Sequence, residues 1–289
     1  MRILVLGGTR FFGKRLVERL LESGDEVTIA TRGQTEDPFG DRVRRVQVDR
    51  TDEAVLKERV GSQPWDIVYD QICFAPDEAA IACRVFAEHT RFYVYTSSMS
   101  VYDIGNGVLH EEAFDPYTYK IAAGDRNAFD YGEGKRLAEA VFLQQAPFPV
   151  AAVRLPIVMG EDDYTERLVF HVDRVKNREP IVMPNRQAEL VFISSEEAAR
   201  FLEWIGKERL DGPYNACANG SISLDELLGM IETATGEKAV VQPEGEEKNA
   251  SPYGIPKSWV MSNEKASKAG FPFTKLRDWL PGLIRALAH

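Results

Sequence analysis

Short apolar runs alternate with longer segments of helical spacing along roughly the first half of the chain. The runs that predict strands cover residues 2–6, 26–31, 44–48, 66–69, 91–96 and 149–154. The segments that carry apolar positions at helical spacing are residues 13–23, 53–60, 77–90 and 131–146. Strand and helix in such alternation predict an α/β fold, a doubly wound parallel sheet with helices on both faces.

The pattern loosens after about residue 156. The predicted elements there are strands at 178–184 and 188–194 and helices at 195–206 and 223–235. Ser223 fits the N-cap of the last helix, with Glu226 at the capping-box position. Residues 242–256 form a polar loop with proline and glycine, which indicates either a lid over a substrate or a solvated surface loop.

The bulk composition narrows the classes of function. A length of 289 residues suits one large domain or two joined lobes. The net charge of −10 argues against nucleic acid as a partner, because nucleic-acid binding needs an extended basic surface. No apolar run reaches the ~18 residues that span a bilayer, and no charged n-region precedes the first strand. Three scattered cysteines and four histidines without ligand spacing predict a reduced, cytoplasmic protein with no metal site.

The sequence GGTRFFG, residues 7–13, follows the first predicted strand and opens the first predicted helix. Gly7 allows a sharp turn after the strand, and Gly13 allows the helix to pack closely on the sheet. Backbone N–H groups between them can bind a pyrophosphate at the helix N-terminus. The context predicts a dinucleotide site in a Rossmann-type fold.

The end of the second strand indicates which dinucleotide binds. Thr31 is followed there by Arg32, whereas NAD sites usually carry an acidic residue that binds the ribose 2′-hydroxyl. Arg32 and Arg10 suit the 2′-phosphate of NADP, since guanidinium groups pair bidentately with phosphate. Alternatively, both are surface cations whose stems cover the adenine, and NAD is the cofactor. Asp49 is placed either to accept from the adenine amino group or to form a turn. The predicted cofactor-binding residues are Gly7, Thr9, Arg10, Phe11, Phe12, Gly13, Thr31, Arg32, Asp49 and Arg50.

Tyr131 and Lys135 lie four residues apart and share one face of a predicted helix. An ammonium group beside a phenol stabilises the phenolate, so Tyr131 could serve as a general acid or base. Ser98 follows the fifth strand, at the edge where open α/β sheets bind ligands. The alternative is a surface Tyr–Lys pair without function.

These motifs together resemble the extended, or atypical, short-chain dehydrogenases/reductases of the NAD-dependent epimerase/dehydratase family. The resemblance rests on GGTRFFG, VYTSSMSVY (94–102), YGEGKRLAE (131–139), VRLPIVMG (153–160) and WVMSNEKASKAGF (259–271). Arg10 replaces the family's middle glycine, and Gly134 replaces the serine of its Tyr-Gly-x-Ser-Lys helix. The resemblance implies Ser98, Tyr131 and Lys135 as the catalytic residues. It also implies a cofactor-binding lobe of residues 1–159, with 191–206 returning to it, and a substrate lobe of 160–190 and 207–289.

Two departures from the family pattern bear on function. Glu189 stands where many sugar-nucleotide epimerases place an arginine that grips the diphosphate, and Arg186 lies several residues too early to replace it directly. The GGTRF start and the TRG at 31–33 resemble a branch that includes chloroplast stem-loop RNA-binding proteins. Members of that branch can lack the catalytic tyrosine, whereas this chain keeps Tyr131.

Candidate substrate residues follow the sixth strand. Asp163, Arg167 and His171 have helical spacing and could face one cleft, or could form an exposed salt-bridged helix face. We therefore predict substrate contacts from Arg167, His171 and Arg186.

The sequence predicts an NAD(P)-dependent oxidoreductase or epimerase acting on a hydroxyl or carbonyl carbon of a small molecule, such as a sugar or sugar nucleotide. The alternative is a cofactor-binding module without turnover, either RNA-binding or redox-sensing. A dehydratase ranks lower, because Met99 follows Ser98 where a carboxylate would be needed. A homodimer through the 77–90 and 131–146 helices is plausible, although the apolar stripe of Leu137, Val141 and Phe142 could equally face the core.

Overall fold

The computed structural model describes residues 1–105 and 107–289, which form two compact units. The first, named here the sheet unit, comprises Met1–Tyr102, Glu111–Leu155 and Ser195–Ala216. The second, named the C-terminal unit, comprises Asp103–His110, Pro156–Ser194 and Cys217–His289. The assignment of cofactor and substrate binding to separate lobes stays a prediction.

The strands and helices of the described residues are as follows. The strands are β1 Arg2–Leu6, β2 Glu26–Thr31, β3 Arg44–Gln47, β4 Ile67–Asp70, β5 Tyr93–Ser98, β6 Val108–Leu109, β7 Val150–Leu155, β8 Ile157–Met159, β9 Pro180–Val182, β10 Glu189–Leu190, β11 Phe192–Ser194, β12 Gly212–Asn215, β13 Ile222–Ser223, β14 Val240–Gln242 and β15 Val260–Met261. The helices are α1 Phe11–Glu22, α2 Glu53–Leu56, α3 Pro76–Val85, α4 Tyr131–Gln145, α5 Arg167–Lys176, α6 Ser195–Glu208, α7 Leu224–Thr235, α8 Glu264–Lys268 and α9 Leu276–Ala288.

The sheet unit contains a seven-stranded sheet within the described residues, in the order β12-β7-β5-β4-β1-β2-β3. Every neighbouring pair of these strands runs parallel. Chain order reverses between β1 and β4, which creates the crevice where doubly wound sheets bind ligands. The predicted α/β, Rossmann-type doubly wound sheet is confirmed.

One core of the sheet unit lies between the sheet and the helices α3 and α4. Leu4, Leu6 and Val68 reach it from the strands, because alternate side chains of a strand point to the same face. The apolar stripe of α4 belongs to the unit itself. Leu137 and Phe142 are 1% exposed, and Val141 is 2% exposed. This apolar stripe therefore faces the core of its own unit, which is the second of the two alternatives.

Tertiary pairing shifted some element ends from their predicted positions. The predicted helix 77–90 ends at Val85, because Trp65 N donates to His89 O at 2.7 Å and holds that segment beside the start of β4. Strand β5 continues to Ser98, which pairs with Leu155 of β7. Strand β12 was not predicted, because its sequence GPYN lacks an apolar pattern and its pairing with β7 defines it.

The C-terminal unit combines short two-stranded pairings with the helices α5, α7 and α9, which pack around one core. The predicted cap of α7 forms as a capping box. Ser223 Oγ accepts from Glu226 N at 3.1 Å, and a carboxylate oxygen of Glu226 accepts from Ser223 N at 3.0 Å. Helix α9 closes the core with Leu276, Leu280 and Ile284.

The loop 242–256 is anchored in the C-terminal unit. Arg174 of α5 donates to Asn249 Oδ1 at 2.8 Å and to Lys248 O at 2.9 Å. Ser251 and Tyr253 of the same loop are buried. This part of the loop is therefore a packed segment of its unit, and the solvated-excursion alternative does not describe it.

The three cysteines are free and buried. Burial raises the pKa of the Cys73 and Cys83 thiols to about 12, which keeps them in the weakly reactive thiol form. Among the described residues, no helix combines the length and the apolar composition needed to cross a membrane.

Candidate active site

The glycine turn after β1 has the backbone shape that the motif predicts. Gly7 and Gly8 have φ of +97° and +86°, which side chains rarely tolerate. A Cβ on Gly7 would lie 3.0 Å from Ile72 Cγ2, so the turn also packs tightly on the segment after β4. Helix α1 then begins at Phe11, and its first amide groups have no intrahelical acceptor. The turn is therefore a suitable cradle for a phosphate group.

Gln71, directly after β4, completes this cradle. A Cβ on Gly13 would overlap the amide oxygen of Gln71, so the absent side chain makes room for that amide. Gln71 Nε2 is buried and has no hydrogen-bond partner among the described residues. A buried donor without a partner costs about 1–3 kcal/mol, and an oxygen of a bound dinucleotide would satisfy it. The residues present thus fit a dinucleotide, and sequence reasoning did not identify Gln71.

The predicted specificity residues lie after β1 and β2. Arg10 Nε donates to Thr35 Oγ1 at 3.1 Å, which brings the glycine turn next to the loop after β2. Thr31 Oγ1 accepts from Gly33 N at 3.1 Å, and the Arg32 side chain is exposed at this corner. The arrangement leaves Arg32 accessible to a ligand. Thr9, Phe11 and Phe12 also lie on this turn and the start of α1.

Asp49 and Arg50 follow β3 and differ in burial. Asp49 Oδ1 accepts from Thr51 N at 2.9 Å and Thr51 Oγ1 at 2.7 Å, and these bonds lower the pKa of the carboxyl group. Asp49 thus forms a turn, and its predicted contact with the adenine amino group stays a prediction. Arg50 is 3% exposed, and its Nη1 donates to both carboxylate oxygens of Asp70 at 2.7 and 2.6 Å. The predicted cofactor contact of Arg50 conflicts with this placement, because the guanidinium is used in the core.

Ser98 stands at the carboxyl end of β5 and is 8% exposed. Its Oγ accepts from Ser100 N at 3.1 Å and lies 3.1 Å from Ser100 Oγ. This turn fixes the position of the Ser98 oxygen and leaves its hydroxyl able to act as a donor or an acceptor.

Tyr131 is the first residue of α4. The preceding Asp130 caps this helix by accepting from Glu133 N at 2.8 Å. The Tyr131 side chain lies in the exposed part of the unit, with 53% of the residue accessible. Its ring centroid lies 6.2 Å from that of Phe74, in the segment after β4. The cap and this contact place a phenol at the open end of the sheet.

Lys135 lies one turn further along α4 and is only 2% exposed. Its Nζ donates to Cys73 O at 2.7 Å and to Thr96 O at 2.8 Å, which ties the helix to the ends of β4 and β5. The ammonium also lies 5.9 Å from the Tyr131 ring centroid. A buried ammonium with two carbonyl acceptors holds a fixed positive charge beside the phenol.

Two glycines let α4 approach the segments after β4 and β5. A Cβ on Gly134 would lie 2.5 Å from Phe74 O, and a Cβ on Gly132 would lie 2.8 Å from Ser100 O. Such distances to backbone atoms require the backbone to move. Gly134, a departure from the family motif, is therefore required by the close packing that puts Lys135 near the two strand ends.

A buried ion pair supports α4 one turn beyond Lys135. Glu139 and Arg154 are both fully buried and ion-paired, and Arg154 Nη1 donates to Tyr102 Oη at 2.6 Å. Burial opposes the Arg154 charge, but the carboxylate of Glu139 outweighs it and raises the pKa of the guanidinium. Ser97 Oγ donates to the same carboxylate at 2.6 Å. The pair thus links α4 to the strand that ends in the candidate serine.

The predicted substrate residues lie in the C-terminal unit. His171 is fully buried, with Nδ1 2.7 Å from Arg167 O and Nε2 2.7 Å from Ser251 Oγ. Burial lowers its pKa to about 4, and its ring stacks on that of Tyr253 at 4.6 Å. The predicted substrate contact of His171 conflicts with this placement, because the ring belongs to the core.

The other members of this predicted group occupy different positions in the C-terminal unit. Asp163 Oδ1 accepts from Thr165 N at 3.0 Å, so it shapes the turn before α5. Arg167 is exposed at the start of α5, after Glu166, whose φ is +54°. Arg186 is exposed elsewhere in the unit and paired with Asp225. Arg186 therefore lies apart from Arg167, and the predicted substrate contacts of these two arginines stay predictions.

Comparison with known proteins finds one family model that matches the N-terminal part of the chain and two curated relatives of low identity. Residues 3–79 match the sequence model of the "NAD dependent epimerase/dehydratase family". The chain is 26% identical over 255 residues to the "Chloroplast stem-loop binding protein of 41 kDa b, chloroplastic" of Arabidopsis thaliana, a match that covers 81% of this chain and 63% of that protein. It is 30% identical over 97 residues to the 2′-dehydrokanamycin reductase of Streptomyces kanamyceticus, covering 34% and 28% of the two chains. The chain thus spans less than two thirds of the length of these relatives.

The fold has counterparts among solved structures. The UDP-glucose 4-epimerase of Thermus thermophilus, solved in complex with NAD, superposes with a TM-score of 0.73. That comparison covers 99% of both chains at 19% identity, so it supports the fold alone. The matched N-terminal segment, the relatives and the fold agree, and they confirm the resemblance of this chain to the NAD-dependent epimerase/dehydratase family.

Proposed function

We propose that the chain is an NAD(P)-dependent oxidoreductase or epimerase that acts at a hydroxyl-bearing or carbonyl carbon of a small molecule. The observation that carries this proposal is the position of Lys135. Its buried ammonium joins the ends of β4 and β5 and lies 5.9 Å from the ring of Tyr131. A phenol, a fixed cation and a serine at one edge of the sheet match the requirements of proton transfer at a substrate oxygen.

Tyr131 would move the proton. Its exposed phenol can reach a substrate hydroxyl, remove the proton during oxidation and return it during reduction. Lys135 would stabilise the phenolate by its charge, since its ammonium lies 5.9 Å from the centroid of the ring. Ser98 would hold the substrate oxygen through its hydroxyl, whose position is fixed by Ser100 N. Each step uses a group that the fold already holds in place.

The cofactor would lie across the carboxyl ends of β1, β2 and β4. The glycine turn and the Gln71 amide would bind its pyrophosphate, because both present donors at the switch point of the sheet. Arg10 and Arg32 would bind a 2′-phosphate, which favours NADP over NAD. When bound, the nicotinamide supplies the capacity to accept and return a hydride.

The proposed substrate class is a sugar or a related polyhydroxylated molecule. Glu189, where sugar-nucleotide epimerases often carry a diphosphate-binding arginine, accepts from Ser221 Oγ at 2.5 Å. This carboxylate would repel a nucleotide diphosphate, so we favour a substrate without one. The name of the Streptomyces relative, 2′-dehydrokanamycin reductase, is in keeping with reduction of a carbonyl on such a molecule.

Fluorescence titration of NADPH and NADH against wild type and Arg32→Ala tests the cofactor assignment. We expect NADPH to bind about tenfold more tightly than NADH and Arg32→Ala to remove the difference, as loss of one phosphate contact would. Equal affinities in wild type would contradict the NADP assignment. A panel of sugar ketones then separates a reductase, which oxidises NADPH, from an epimerase, which keeps its cofactor bound.

A second candidate, an RNA-binding module, is favoured by one surface feature. Arg44, Arg45 and Arg59 line a cavity of about 430 Å³ at the edge strand β3, and the Arabidopsis relative is named a stem-loop binding protein. The net charge of −10 counts against it. Under this proposal, Arg44→Gln and Arg59→Gln would weaken binding of an RNA stem-loop, while Tyr131→Phe would leave it unchanged.

The predicted location and assembly remain proposals. We propose a cytoplasmic homodimer that pairs through α3 and α4, on the resemblance to the family. The burial of the α4 apolar stripe within one chain means that a dimer must use other residues of these helices. A monomer in light scattering would contradict the dimer, and cell fractionation tests the location.

A further inference from the structure

Arg126 is a further cation near the carboxyl ends of the strands where we place the cofactor, in addition to Arg10 and Arg32. It lies in the segment that precedes α4, five positions before Tyr131. Its Nη2 donates to Ile72 O at 2.8 Å, and its Nε donates to the carboxylate of Glu78. The guanidinium carbon also lies 4.6 Å from the centroid of the Phe74 ring. Three contacts therefore fix the guanidinium against helix α3 and the segment that precedes it.

The loop that carries Arg126 is also fixed. Gly124 N donates to Asp77 Oδ1 at 2.9 Å, and Asp77 N donates back to Gly124 O at 3.3 Å. Asp125 Oδ1 accepts from Asn127 N at 2.9 Å and closes the turn. The arginine is therefore held in position by the start of α3, and little ordering would be needed for it to bind a ligand.

The position of Arg126 connects it with the phosphate cradle. Ile72, whose carbonyl it binds, packs its side chain against Gly7 of the glycine turn. Gln71, whose buried side-chain amide Nε2 lacks a hydrogen-bond partner among the described residues, directly precedes Ile72 in the chain. The charges of Arg32 and Arg126 also both act on Asp49, whose pKa is lowered mainly by its bonds to Thr51. Arg126 thus lies beside the glycine turn, on the β4 side of the switch point.

The guanidinium keeps donors for a ligand. Of its five N–H groups, one on Nε and one on Nη2 are used by Glu78 and Ile72, and Nη1 has no hydrogen-bond partner among the described residues. The Arg126 side chain is 45% exposed, whereas Glu78 beneath it is 4% exposed. The remaining donors therefore lie on the accessible side of a fixed cation.

We propose that Arg126 binds the pyrophosphate of the dinucleotide, opposite the glycine turn. This inference rests on the proposed function, because it assumes that a dinucleotide binds at this edge. Phosphate is the chemistry that a planar guanidinium recognises best, and the adjoining turn supplies backbone donors for the same group. The pyrophosphate is common to NADH and NADPH, so Arg126 would contribute to the affinity of both, whereas Arg32 would discriminate between them.

The test is a fluorescence titration of NADH and NADPH against the full chain carrying Arg126→Gln. We expect both dissociation constants to rise by a similar factor, about ten- to a hundredfold, because one charge-assisted bond is lost. Arg84→Gln is the matched control, since Arg84 is another partly exposed, ion-paired arginine of the sheet unit, bound to Glu53. It should leave both constants unchanged. Unchanged affinity in Arg126→Gln, or a loss for NADPH alone, would overturn the assignment.

Arg126→Lys is a second variant for the case that Arg126→Gln does not fold, because it keeps a positive charge beside the buried carboxylate of Glu78. It should weaken both dinucleotides by several-fold while its melting temperature stays near that of wild type, since a point charge replaces the planar fork. If Arg126→Gln fails to fold, unchanged affinity in Arg126→Lys would overturn the assignment. A wild type that binds neither dinucleotide would instead reject the proposed function, so the two failures are distinguishable.

Discussion

The sheet unit buries Lys135, Arg154 and Arg50 at its sheet, each paired with carbonyls or carboxylates. The C-terminal unit instead buries a histidine, His171, whose pKa is lowered to about 4 by its surroundings. A core that keeps cations creates fixed fields near the ends of its strands, whereas a core that holds a neutral imidazole uses it for packing. We therefore expect the proposed acid–base chemistry in the sheet unit and a stabilising role for His171.

Replacing Lys135, the buried ammonium of the sheet unit, should have the largest effect, a loss of turnover. Lys135→Met removes the cation beside Tyr131 and the two hydrogen bonds that its ammonium donates to Cys73 O and Thr96 O. We expect turnover to fall by about 10²- to 10⁴-fold, the contribution of a positioned acid–base group. Steady-state oxidation of NADPH with a responsive sugar ketone measures it, and exposed Lys57→Met is the control. Turnover within threefold of wild type would place the chemistry elsewhere.

Two helix glycines, one in each unit, compare how closely their helices pack against neighbouring segments. Gly134→Ala in α4 forces a Cβ to within 2.5 Å of Phe74 O, and we expect a loss of about 2 kcal/mol in the free energy of unfolding, as in overpacked cores. Gly229→Ala in α7 has open space around its Cβ, and we expect it to stabilise the fold by roughly 0.5–1 kcal/mol. Urea denaturation measures both. Equal effects of the two substitutions would show that α4 is not held at close approach.

The pH dependence of stability tests the neutral imidazole. Because the folded pKa of His171 is lowered from 6.5 to about 4, the unfolded chain binds more protons between these values, and stability falls as the pH decreases through this range. We expect His171 to account for a loss of about 2 kcal/mol between pH 7 and pH 5. Urea denaturation at the two pH values measures the slope.

Two variants show whether His171 causes this pH dependence of stability. In His171→Gln the slope should become shallower, because the titrating group is gone. His110→Gln, which changes an exposed histidine of the same unit, should keep the slope of wild type. A slope that is unchanged in His171→Gln would mean that folding does not lower the pKa of His171.

Local sequence pattern was sufficient for most of the sheet. Apolar runs such as residues 2–6 and 149–154 favour burial on both faces of a parallel sheet, so these strands could be predicted from the sequence. Strand β12 escaped prediction, because GPYN gains its conformation from pairing with β7. Helix α3 ended early for the same kind of reason, a contact distant in sequence.

Some features of the candidate site could likewise be predicted from the sequence, and others could not. The spacing of Tyr131 and Lys135 fixed their common helix face, and the structure brings both beside Phe74. The role of Gln71 has no sequence signal, because it arises where the end of β4 meets Gly13. The burial of Arg50 and His171 was equally invisible, since charge and spacing do not report which side of an element faces the core.

The central claim is tested most directly by two tyrosines, one in each unit, that are exposed to similar extents. Tyr131 is 53% exposed and Tyr164 is 65% exposed, so either can lose its hydroxyl with little effect on the core. NADPH-dependent turnover should fall by about 10²- to 10⁴-fold in Tyr131→Phe and stay at the wild-type level in Tyr164→Phe, with NADPH affinity unchanged in both. Full turnover in Tyr131→Phe would contradict the account, because no other exposed phenol lies beside the buried ammonium among the described residues.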